Sequence, residues 1–210
     1  LTHCEEEGVE KILVLPMYPQ YSATTTAAVF DQIAGHYLAQ RRIPQWQMLS
    51  DYYRQPLYIE GLANTVRKHW QTHGKGERLL VSFHGIPKRC VDLGDPYFDQ
   101  CQSTAQQLAE ALGLDESQWQ VSFQSRLGKA EWLQPYTDKV LEQLGNEGLK
   151  TLDVICPAFA TECLETLDEI AIEGQEQFAE AGGGSLRYVP CLNDNEDQLA
   201  LLRHLIDTNI

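Results

Sequence analysis

His84 ends the apolar run that starts at Leu79 and is followed by Gly85 and Pro87, so its imidazole sits where a strand gives way to a sharp turn with little freedom. A neutral imidazole in that position can ligate a divalent transition metal or accept a proton near neutral pH. A second group, Glu162, Glu165, Asp168, Glu169 and Glu173, follows Cys156-Pro157. Spacings of three and four put 162, 165, 169 and 173 on one face of a helix. Like charges on one face repel by roughly 0.2–0.5 kcal/mol per pair, partly offset by the helix dipole in the first turn. The row is therefore either a solvated acidic face or a path for a cation or a proton, to which hard carboxylate oxygens are suited.

These residues need a scaffold that brings strand ends together. Short β-rich runs alternate with longer stretches of helical periodicity, the pattern of an α/β protein with a parallel sheet. The pattern predicts strands at Lys11–Leu15, Gln45–Leu49, Arg78–Phe83, Gln120–Gln124, Thr151–Ile155 and Leu186–Val189. Helices are expected at Thr24–Gln40, Pro56–Thr72, Asp95–Leu112, Pro135–Leu144, Glu162–Glu180 and Glu196–Ile210. Pro56 and Pro135 suit first helical turns, and Gly113, Gly145 and Gly182 suit helix ends. Gly182-Gly183-Gly184 follows a helix and lacks phosphate-loop spacing, so it reads as a turn. In parallel sheets ligands bind beyond the carboxyl ends of the strands, where Tyr18, His84, Gln124 and Phe159 all fall.

Composition narrows the class of function. A net charge of −14 with no basic stripe excludes general nucleic-acid binding and favours the gathering of cations. No apolar run approaches the roughly 18 residues of a membrane span, which leaves peripheral membrane contact open. The first ten residues carry four glutamates and no initiator Met. They do not read as a secretory signal, and the chain is expected to be cut at its amino end. The six cysteines, 4, 90, 101, 156, 163 and 191, show neither C-x-x-C nor zinc spacing. A reduced, cytoplasmic compartment follows, with Cys156 a small buried hydrophobe and Cys163 off the acidic face. His3, His36, His69, His73 and His204 are terminal or helical and suit solvated or packing roles.

Leu15-Pro16-Met17-Tyr18-Pro19-Gln20-Tyr21-Ser22 and Ser82-Phe83-His84-Gly85-Ile86-Pro87 together resemble the ferrochelatase family. Gly94-Asp95-Pro96-Tyr97, Phe123-Gln124-Ser125-Arg126, Trp132-Leu133-Gln134-Pro135-Tyr136-Thr137 and Cys163 to Ile170 continue the match in order, and Leu192-Asn193 also fits. The resemblance implies two similar Rossmann-like halves with a porphyrin cleft between them. On that view residues 1–42 end the first half, whose earlier part is missing, 43–190 form the second half, and 191–210 form a closing helix.

The resemblance further implies insertion of Fe²⁺ into protoporphyrin IX, with both as substrates and the chain alone expected to be poorly active. His84 matches the family's active-site histidine and Glu165 its active-site glutamate, with Glu169 one turn further. His84 and Glu165 would meet the metal, and His84 serves as proton acceptor or metal ligand. Tyr18, Ser22, Tyr97, Trp132 and Phe159 would line the porphyrin cleft. Some members hold a [2Fe–2S] cluster through a cysteine at the position of Ala23 and a cysteine-rich tail, so no cluster and no other cofactor is expected here. Alternatives are a chelatase for another metal or tetrapyrrole, such as cobalt or coproporphyrin, and a non-catalytic metal- or haem-binding module. The latter would need no proton acceptor beside its carboxylates.

Overall fold

The computed structural model describes residues 1–209. Ile210, the last residue of the expected closing helix, lies outside the described residues. Strands form within one residue of their expected bounds: β1 Lys11–Val14, β2 Gln45–Met48, β3 Arg78–His84, β4 Trp119–Gln124, β5 Thr151–Ile155 and β6 Ser185–Val189. The helices are α1 Thr2–Glu6, α2 Thr26–Tyr37, α3 Pro56–His73, α4 Lys88–Asp92, α5 Tyr97–Leu112, α6 Thr137–Asn146, α7 Leu164–Leu167, α8 Gln175–Glu180 and α9 Glu196–Asp207. No helix among the described residues is long and apolar enough to cross a membrane.

All strand pairs are parallel. β3 to β6 form a sheet in the order β4-β3-β5-β6, whereas among the described residues β1 and β2 pair only with each other. β2 thus hydrogen-bonds to a strand on the other side of the 42/43 boundary drawn from the sequence, by the register Lys11 with Gln45 through Val14 with Met48.

Period-two alternation along β3 sorts its side chains between two cores. Leu79, Val81 and Phe83 join the apolar cluster that holds Tyr58, Leu62 and Val66 of α3, Cys101 and Leu108 of α5 and Leu201 of α9. Leu80 points the other way, into a cluster with Val140, Leu141 and Leu144 of α6 and Phe178 of α8. β3 and β5 are neighbours, but the chain leaves β3 through α5 on the first face and leaves β5 through α7 and α8 on the second. Their carboxyl ends therefore diverge and open a crevice, the switch point of a doubly wound sheet.

At the opposite end of the sheet, a fully buried carboxylate ties strands and helix together. Asp153 Oδ1 accepts from Arg187 Nε at 2.8 Å, and Oδ2 accepts from Trp70 Nε1 at 2.7 Å and from the Gly76 amide at 2.9 Å. Arg187 also donates to the carbonyls of His73 and Gly74. His69 packs beside this pair, its Nε2 3.3 Å from Asp153, and its pKa is lowered, chiefly by burial, against the opposing effect of Asp153.

Three local expectations are corrected. α6 begins at Thr137, so Pro135 lies before the helix and not in its first turn. Gly145 lies inside α6, and a Cβ there would come within 2.5 Å of Ala181 Cβ, so this glycine permits close approach to the end of α8; Gly148, with φ +75°, reverses the chain instead. The helix expected at 162–180 is split, with a wide π-helical turn over Glu169–Gly174 between α7 and α8. There the Glu173 amide reaches back five residues to the Asp168 carbonyl at 2.9 Å.

Removing one partner of a buried ion pair leaves an uncompensated charge, which costs about 3–5 kcal/mol. Arg187→Leu is expected to lower unfolding free energy by about that amount in a urea titration. A loss within about 0.5 kcal/mol, the range of ordinary surface changes, would contradict the anchoring role of this pair.

Candidate functional site

The crevice beyond β3 and β5 is a cleft of about 370 Å³ lined by Tyr18, Gln20, Ser22, His84, Trp132 and Phe159 among others. That volume is at the lower end of small-molecule sites, roughly 300–1,000 Å³. A larger hollow of about 530 Å³ lies between α1 and the 39–45 loop, but charged loop residues line it and no histidine reaches it.

His84 is the last residue of β3. Its Nδ1 lies 2.6 Å from the Gly85 carbonyl. A carbonyl only accepts, so Nδ1 carries a proton, and in the neutral ring Nε2 holds the lone pair as acceptor or ligand. Its own carbonyl accepts from the Tyr97 hydroxyl at 2.9 Å, and its ring lies 6.1 Å from that of Phe159 across the switch point. Gly85 permits this packing, because a Cβ there would come within 2.9 Å of the Gln124 carbonyl and 3.2 Å of the Trp132 ring. Trp132 is held by a bridge to Pro87 and by flanking backbone bonds from Leu133 to Ile86 and from Lys88 to Glu131.

Every cleft residue proposed from the sequence, namely Tyr18, Ser22, Tyr97, Trp132 and Phe159, lines this cavity beside His84. Ser22 is nonetheless fully buried, and its hydroxyl donates to Asp95 Oδ2 at 2.9 Å. Asp95 also accepts from the amides of Ala23 and Tyr97 and so staples the first motif to α5. Two polar atoms at the cleft lack a hydrogen-bond partner among the described residues: Gln20 Oε1 and Trp132 Nε1. Both Gln20 amide hydrogens are committed, to Tyr58 at 3.3 Å and Thr104 at 3.0 Å, which fixes Oε1 as the free acceptor. The sequence reading missed Gln20, although its place between Tyr18 and Ser22 was a usable signal.

The acidic residues do not form one row. Glu162 precedes α7 and is tied to the loop at 191–193: its amide donates to Asn193 Oδ1 at 3.1 Å and its carboxylate accepts from the Cys191 amide at 2.9 Å. Glu173 is exposed on the π turn. Glu165 and Glu169 lie outside the cleft lining. Glu169 accepts from the Ser125 amide at 2.6 Å and the Ser125 hydroxyl at 2.5 Å. The Glu165 carboxyl is held below the usual carboxylate range by its own backbone amide, then by Cys163, against a smaller opposing effect of desolvation; His84 adds to the lowering. Cys156 is buried as expected, but its thiol also donates to Gln124 Oε1 at 3.4 Å. Burial pushes the Cys191 thiol up to about 12. Among the described residues no three His, Cys, Asp or Glu side chains converge to hold a metal ion.

A family model described as Ferrochelatase matches residues 1–210. The chain belongs to the ferrochelatase family. It is 54% identical over 201 residues to Ferrochelatase 1 of Shewanella oneidensis, covering 95% of this chain and 60% of that protein. Identity to the ferrochelatase of Thioalkalivibrio sulfidiphilus is 50%, over 100% of this chain and 57% of the relative. For that of Vibrio cholerae it is 52%, over 96% and 63%. The chain thus spans about three fifths of the length of these ferrochelatases. The solved structure of CbiX, titled the terminal enzyme for biosynthesis of siroheme in denitrifying bacteria, superposes with a TM-score of 0.63. It covers 95% of this chain and 76% of CbiX at 17% identity, a likeness of fold alone.

The depressed Glu165 pKa has a measurable sign. A carboxyl lowered in the folded state stabilises the fold above its unfolded pKa, and this contribution is lost as pH falls through the folded value. Carboxyl ¹³C NMR should find Glu165 titrating below an ordinary glutamate, and Cys163→Ala should move it upward. A Glu165 value at or above the ordinary range would contradict the arrangement.

Proposed function

We propose that this chain carries the catalytic wall of an enzyme that inserts Fe²⁺ into protoporphyrin IX to form protohaem. The observation that carries the reading is the tautomer of His84. With Nδ1–H donated to Gly85, Nε2 is an available base at an apolar, aromatic cleft. Membership of the ferrochelatase family supports the same reaction class.

The reaction exchanges one Fe²⁺ for two pyrrole protons, so charge balances only if both protons leave the site. His84 Nε2 accepts one pyrrole proton, a role typically worth 10²–10⁴-fold in rate, and the second passes to solvent water. Glu165, kept ionised by its own turn, faces the resulting imidazolium and attracts the entering cation. Fe²⁺ is a substrate here, and the four nitrogens of the macrocycle hold it once inserted. Tyr18, Trp132 and Phe159 offer aromatic faces to a flat ring, while Trp132 Nε1 and Gln20 Oε1 supply a donor and an acceptor at its edge.

In the full chain, His84→Ala is expected to lower metal insertion at least about 100-fold while porphyrin affinity changes little. Glu165→Gln should approach that loss, and Glu169→Gln should be milder. Initial rates with protoporphyrin and coproporphyrin, each with Fe²⁺ and Co²⁺, identify the substrate pair. Faster turnover of coproporphyrin or Co²⁺ would reassign the specificity, and a His84→Ala variant that mainly lost porphyrin binding would overturn the role of the imidazole.

A further inference from the structure

The motif Phe123-Gln124-Ser125-Arg126 has no part in the reaction as described, yet its residues meet the backbone of Glu165 and the carboxylate of Glu169. Gln124 is 2% exposed. Its Oε1 accepts from the Ser82 hydroxyl at 2.7 Å and from the Cys156 thiol at 3.4 Å. Two donors on Oε1 fix the orientation of the amide, so Nε2 must face the other way. There it donates to the Glu165 carbonyl at 2.5 Å and reaches Glu169 Oε2 at 3.4 Å. Ser125 adopts φ +61°, a left-handed conformation uncommon for a residue with a side chain. In that conformation its amide and hydroxyl converge on the two oxygens of Glu169.

Resting on the proposed reaction, we propose that Gln124 and Ser125 are positioning residues that clamp Glu169 as the anchor of the acidic segment, leaving Glu165 as the mobile carboxylate. Glu169 receives three donors from the end of β4 and has no freedom to swing between cleft and solvent. The Glu165 carboxyl, in contrast, takes its donors from its own turn, its backbone amide and the Cys163 thiol, while Gln124 holds its backbone carbonyl. Glu169 sits where the regular helix gives way to the π turn, so the clamp also sets where Glu165 stands relative to His84. Glu169 thereby acts through Glu165 and does not itself carry protons or iron.

Two measurements on the full chain test this. In hydrogen–deuterium exchange of the unliganded protein, Gln124→Met should speed exchange across 164–174 several-fold and leave β3 unchanged. In steady-state metal insertion it should lower kcat about 10–100-fold, as loss of a supporting hydrogen bond around a reactive group does, with the KM for porphyrin within about twofold. Effects of residues acting as one unit do not add. In a Glu169→Gln background, Gln124→Met should therefore cost less than about twofold more, and the same holds in a Glu165→Gln background, because the clamp acts through Glu165. Unchanged exchange over 164–174, or multiplying losses for Gln124→Met and Glu169→Gln, would overturn the clamp. If the parent protein metallates no porphyrin, the reaction assignment fails while the exchange experiment still decides the clamp. Ser125→Gly, which relieves the left-handed backbone and removes the hydroxyl, should show the same exchange increase if Gln124→Met does not fold.

Discussion

The amide of Gln124, buried at the end of β4, is the constraint on which the geometry around His84 depends. The backbone carbonyl of Gln124 accepts from the Gly85 amide at 2.8 Å, which turns the chain directly after the histidine. Its side chain is fixed by Ser82 and Cys156 on one side and fixes the start of the acidic segment on the other. A buried amide with one unmet hydrogen bond costs about 1–3 kcal/mol, so each partner restricts the next. The strand register sets His84 opposite Gln124, and the histidine turn and the carboxylates therefore share one reference point.

The two ends of the sheet are built differently. At the amino end of β3, both oxygens of Asp153 are taken up by Arg187, Trp70 and the Gly76 amide. At the carboxyl end the chain leaves β3 and β5 toward opposite faces, and unpaired Gln20 Oε1 and Trp132 Nε1 remain at the cleft. Unmet polar groups are tolerated where a ligand can satisfy them. The closed end and the two apolar clusters hold the sheet rigid, which is what a site assembled from several strand ends requires.

Glu165 and Glu169 differ by one helical turn in sequence and by their partners in space. Glu165 is stabilised from within its own turn, whereas Glu169 is stabilised from another element of the fold. The π turn begins at Glu169, where the Ser125 bonds pull the carboxylate toward β4, and it ends at Gly174, which packs closely on Leu141 and Leu186. Attachment at one end and close packing at the other explain why regular helical periodicity does not run through this segment.

The sequence by itself determined the parallel α/β class and the strands nearly to the residue, and it put His84 at a strand end beside a sharp turn. These follow from local signals: alternation of apolar residues, turn residues after strands, and residue types whose chemistry is intrinsic. Tertiary structure alone decided what depends on contacts between distant segments. The pairing of β2 with β1, the break in the 162–180 helix and the place of Gly145 inside α6 all come from packing that no single segment encodes. The acidic row looked continuous because spacing of three and four assumes an unbroken helix. In the fold Glu162 binds the 191–193 loop and Glu169 binds Ser125, since buried hydrogen-bond partners outweigh a periodicity worth a few tenths of a kcal/mol per pair.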